Sequence, residues 1–143
     1  MELHLLRVLV AALGAFVAYM AMGFALFAAM PGLKVEFQKY PGVYRPEPEM
    51  MKRMPLAMLA IFVSILVLAV LYALMYRGGG SALAGVIWGV HFGMLIGVFA
   101  VCVSVIHNHV NLNIGWKLTV QSGVAYFVQW VVVGIAIGLI YQF

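Results

Sequence analysis

Four apolar runs dominate the sequence, and each is about as long as a helix must be to cross a bilayer. They cover 3–29, 55–76, 82–106 and 116–141. Roughly 20 residues rising ~1.5 Å each span the ~30 Å hydrocarbon core. Backbone N–H and C=O groups in lipid must be satisfied inside the protein, so only helices and closed β-barrels span a membrane. A barrel needs repeated segments of ~10 residues with strict apolar and polar alternation, and the sequence has none. The expected fold is therefore an all-α integral membrane protein. It is a single transmembrane domain over 1–143, with four transmembrane helices in an antiparallel up-down bundle. Composition agrees: 66% of the residues are hydrophobic and 8% charged, against ~25% charged in soluble domains.

The polar residues fall between the runs. A cleaved signal peptide has an apolar core of about 7–15 residues behind a basic start. The first run is longer and has only Arg7 near its start, so it is read as a retained helix. Met30-Pro31-Gly32 ends it. The polar loop 31–54 follows, and within it Leu33, Val35, Phe37 and Tyr40 predict a short amphipathic piece at the interface. Tyr40 and Tyr44 suit an aromatic belt. Pro55 is expected to open the second helix, since proline fits the first helical position. Gly78-Gly79-Gly80-Ser81 reads as a tight turn, and 107–115 as the last connection.

Four spans put both termini on one side. Six of the eight Lys and Arg residues (Lys34, Lys39, Arg45, Lys52, Arg53, Lys117) fall on the loop side, and Arg7 and Arg77 on the other. The positive-inside rule then places loops 31–54 and 107–115 in the cytoplasm and both termini across the cell membrane. The net charge of +4 is read as this flanking role rather than as a nucleic-acid surface.

Gly85, Gly89, Gly93 and Gly97 recur every four residues in the third run. This makes a flat ridge on one helix face against which another backbone can approach closely, and it is the expected helix-packing interface. Ala21, Ala25 and Ala29 on the first helix, and Gly134 and Gly138 on the fourth, are candidate partners. Two readings stand: packing within one chain, or a clasp on a second copy or another subunit.

His91 lies about ten residues into the third run, at a depth where ionisable groups face a bundle interior or a cavity. At 100° per residue it points away from the glycine ridge. Ser122, Tyr126 and Gln129 share one face of the fourth helix. A turn near residue 112 would set Cys102 beside Ser122, Val98 beside Tyr126 and Leu95 beside Gln129. The expectation is a buried polar seam in which His91 and Gln129 meet directly or through a water. Cys102, the one cysteine, is expected to be a buried packing residue.

Other chemistry is weaker. A bis-His haem site needs two histidines at one depth, and His4, His107 and His109 all lie near the ends of spans. Met20, Met22 and Met94 are possible axial ligands, but with ten methionines that match is cheap. His107 and His109 with Glu36, Glu47 or Glu49 match no specific metal motif, so no metal or cofactor is expected. Glu47 and Glu49 read as an interfacial charge cluster beside Arg45, Lys52 and Arg53. The sequence has no nucleophile elbow, phosphate loop or zinc-protease motif.

The reading is a small non-catalytic membrane protein acting as an oligomer or as an accessory subunit of a membrane complex. Its partners would be the bilayer, its own copies or other membrane subunits, and not nucleic acid. The alternative is binding or transport of a small lipophilic ligand or solute at the His91, Tyr126 and Gln129 seam. A haem-binding membrane protein ranks third.

Overall fold

The computed structural model describes residues 4–77 and 81–142. Leu3, where the first span was expected to begin, and the Gly78–Gly80 turn lie outside the described residues. Among the described residues every regular element is helical. Helix α1 is Leu5–Ala29, α2 is Pro31–Gln38, α3 is Glu47–Met75 and α4 is Ala82–Ala100. A π-helical stretch, Val101–Ile106, runs on into α5 (His107–Asn111), and α6 is Trp116–Ile140. Four helical segments (α1, α3, α4 continued through Asn111, and α6) are long and apolar enough to span a membrane.

Two boundaries differ from expectation. Helix α3 begins at Glu47 and leaves Pro55 inside it. Pro46-Glu47-Pro48 is itself a helix start. Pro48 lies in the first turn, where a missing N–H costs nothing, and Glu47 and Glu49 face the positive end of the helix dipole. Pro55 then forfeits one interior hydrogen bond, to the Met51 carbonyl. The third span does not end at Ile106 but continues through the π turn to Asn111, whose side-chain amide donates to the His107 carbonyl at 2.8 Å. Stretches of π-helix are rare, and no residue pattern in 101–106 announces one.

Helix α6 touches α1, α2, α3 and α4. The main core lies where Val8, Ala11, Ala12, Ala15 and Tyr19 of α1 meet Ile65, Ala69 and Tyr72 of α3 and Val133 and Ile137 of α6. The small residues of α1 that pack are thus Ala11, Ala12 and Ala15. Ala21, Ala25 and Ala29, the expected ridge, are exposed.

A second, smaller core closes the end where α2 meets the start of α6. Leu33, Ile114 and Leu118 are buried there, with Phe37, Tyr40 and Tyr44 packed on them. The Tyr40 hydroxyl accepts the Gly115 N–H at 2.9 Å. Glu36 is 3% exposed, and its carboxylate takes Lys39 Nζ at 2.8 Å and Lys117 Nζ at 3.0 Å. Those two lysines hold the carboxyl below the usual carboxylate range, with the Lys39 hydrogen bond the larger cause.

Candidate functional site

The glycine face of α4 lies on α6. A methyl group added at Gly85 would strike the Gly138 carbonyl, and one at Gly89 the Gly134 carbonyl. At Gly93 it would lie 2.8 Å from the Trp130 carbonyl oxygen and the Val131 Cα, and at Gly97 2.9 Å from the Phe127 ring. Contacts under 3 Å leave no room for a Cβ, so these backbones touch only because both helices carry glycine at the crossing. The ridge is thereby occupied within the chain. Helix α3 adds a tie, since Tyr72 Oη donates to the Gly85 carbonyl at 3.0 Å.

His91 occupies the opposite face and is exposed. Its Nδ1 lies 2.8 Å from the Ile87 carbonyl oxygen. A carbonyl only accepts, so Nδ1 carries the proton and, in the uncharged ring, Nε2 keeps a lone pair. The surrounding face is open as well: Ile87, Trp88, Met94, Leu95 and Val98 are all large exposed apolar residues. Cys102, expected to be buried, is exposed. From Ala82, nine residues of helix put His91 about 14 Å along α4.

The expected His91–Gln129 seam does not form. Gln129 Nε2 reaches the Tyr19 carbonyl on α1 at 3.4 Å and sits over Gly23. Tyr126 is 39% exposed, and Ser122 is half-buried with no side-chain hydrogen bond among the described residues. The register along the two helices agrees with expectation: Val98 and Cys102 share one shallow surface recess with Gly123 and Phe127. What differs is the face. The glycine ridge already holds α6, and one helix cannot also cover the far side of α4. Ser122, Tyr126 and Gln129 lie one residue step, about 100°, round from the Gly123, Phe127 and Trp130 positions that meet α4.

The remaining polar groups at the loop end are tied to each other. Thr119 Oγ1 donates to the Gly115 carbonyl at 3.2 Å and accepts from His109 Nδ1 at 2.9 Å. The His109 ring lies 3.8 Å, centroid to centroid, from that of Trp116. Arg45 and Glu49 form a solvent-side pair at 3.6 Å. Among the described residues no three His, Cys, Asp or Glu side chains gather where a metal ion could be held. His107 and His109 lie more than four turns beyond His91 along the same helical segment.

One larger groove opens between α3 and α4, with a volume of about 590 Å³. Val63, Val67 and Leu71 line one wall, Phe99 and Val103 the other, and Trp130 contributes from α6. Ser64 and Ser104 are its hydroxyl groups. Sequence reasoning missed this groove, because it depends on how far α3 and α4 stand apart and not on any residue spacing.

Comparison with protein-family models, with curated proteins and with solved structures finds no match to this chain.

Proposed function

We propose that this chain is a non-catalytic subunit of a membrane assembly. Its four helices cross the cell membrane as an antiparallel up-down bundle, with loops 31–54 and 107–115 in the cytoplasm and both termini opposite. The open α4 face around His91 is its interface. One observation carries the reading: an imidazole midway along an apolar helix is exposed, while the glycine face behind it is filled from within the chain. An ionisable side chain at such depth is expensive in lipid and is normally turned to protein or to a water-filled cavity. A neighbouring subunit supplies that cover.

The test is gentle extraction from the native membrane into polymer-bounded discs, followed by mass measurement of intact particles. The expected particle is heavier than one chain plus lipid. Particles holding one copy and no other polypeptide would overturn the reading.

The groove between α3 and α4 supports a second reading, binding of a lipophilic ligand. Its volume of about 590 Å³ lies within the ~300–1,000 Å³ of ligand pockets. This reading moves the ligand from the His91 seam to Trp130. It expects a brominated long-chain lipophile to quench Trp130 emission saturably in a Trp88→Phe, Trp116→Phe background. Quenching that merely rises in proportion to the lipophile added would dismiss it.

A further inference from the structure

We infer that the open α4 face docks on a second copy of this chain, through a reciprocal pair of hydrogen bonds from Trp88 of each copy to His91 of the other. The inference rests on the reading of this face as an interface and adds the identity of the partner.

Two unmatched groups sit together on the face. His91 Nε2 is an acceptor, because Nδ1 spends its proton on the Ile87 carbonyl. The Trp88 indole N–H is a donor only. It is 43% exposed and finds no acceptor among the described residues, although its ring meets Tyr76 edge-on at 6.1 Å. Within one helix these groups, three positions apart, do not satisfy each other. A covering surface must therefore present one acceptor and one donor within reach of these two groups. The same surface, turned by a two-fold axis, presents them: in an isologous contact residue i meets j and j meets i.

The membrane fixes the direction of that axis. Copies inserted the same way are related about the membrane normal, so the two α4 helices run side by side, level with level. Three residues of helix separate the donor and acceptor levels by about 4.5 Å, a gap that an indole can bridge diagonally. Ile87, Leu95 and Val98 fill the rest of the contact with apolar surface. Both orphaned polar groups thus leave the lipid at once, which an all-aliphatic partner surface could not achieve.

The experiment uses two differently tagged copies of the full chain expressed in one membrane. Capture through one tag is expected to recover the other. The single cysteine, Cys102, is exposed in the π-helical stretch that continues α4 beyond His91, so a flexible bis-maleimide is expected to link two copies in the membrane, and Cys102→Ser to abolish the link. His91→Phe and Trp88→Phe should each weaken dimerisation roughly tenfold, since two interhelical bonds break and two partners are stranded. The double variant strands neither group, so it should dimerise better than either single variant. Both side chains are exposed, so an unchanged thermal unfolding of the monomer confirms that the variants fold. Single variants within twofold of wild type, or losses that add in the double variant, would overturn the inference. Capture of a different polypeptide without self-capture would overturn it and leave the subunit reading standing. Capture of nothing would overturn both.

Discussion

At Gly93 one methyl group decides how closely α4 and α6 approach. A Cβ there would sit 2.8 Å from three backbone atoms of α6, and backbone cannot step aside as a flexible side chain can. Gly93→Val should therefore destabilise the bundle by about 1–3 kcal/mol, the range for overpacked cores. Gly123→Ala is the control: its Cβ would meet only the Val101 and Val105 methyls, at 3.7 and 3.8 Å, and should change stability by less than ~0.5 kcal/mol. Thermal unfolding in one detergent would show both, and equal losses would refute the account. The ridge was legible because small residues every fourth position make a steric statement about one helix alone. The seam at His91, Ser122, Tyr126 and Gln129 was not. Its levels followed from the length of the connecting turn, but its faces depended on where α1 and α3 settled. Gln129 found Tyr19 on α1, a neighbour that no spacing within α4 or α6 can specify.

Helix α2 shows how an element too short to be stable alone is held. Eight residues fall below the ~12–15 at which isolated helices become marginal, so its order depends on docking. Leu33 provides the apolar anchor and Glu36 the polar one, clamped by Lys39, which caps the end of α2, and by Lys117 from α6. The Glu36 carboxyl lies below its ordinary range, chiefly through the hydrogen bond from Lys39. A depressed carboxylate stabilises the folded form above its unfolded pKa, and that contribution is lost as the pH falls through the folded value. Docking of α2 should accordingly hold at neutral pH and loosen in acid. Glu36→Gln should undock it at neutral pH and flatten the acid response. Hydrogen exchange at Val35 and Phe37 between neutral pH and pH 3 would read both effects; an acid response that survives in Glu36→Gln would assign it to another group. An amphipathic piece was readable from Leu33, Phe37 and Tyr40. The clamp was not, because Lys117 lies 81 positions away in the sequence. The start of α3 was misplaced for a local reason: Pro55 is as good a first-turn residue as Pro48, and only the acidic pair around Pro48 distinguishes them.

The lengths of the helices shape the whole molecule. Helix α3 has 29 residues and the α4–α5 segment 30, or about 43–45 Å of helix against a hydrocarbon core of ~30 Å. Both excesses belong to the loop end. There the first turns of α3 carry Glu47, Glu49, Lys52 and Arg53, the α5 turns carry His107 and His109, and α2 is clamped on the start of α6. In the proposed orientation this end forms a small polar platform on the cytoplasmic face. Charge argues for that direction, since six of the eight basic residues lie on the platform side and positive residues resist translocation. The orientation is open to a labelling test that leaves those charges untouched. In a Cys102→Ser background, Gln38→Cys would mark the platform and Ser81→Cys the terminal side; both native side chains are exposed. A membrane-impermeant maleimide should label Ser81→Cys in intact cells and reach Gln38→Cys only after the membrane is opened. The reverse pattern would invert the bundle and make the platform an outward-facing surface. Labelling of both in intact cells would mean that the two positions share a side, and the up-down arrangement itself would fall.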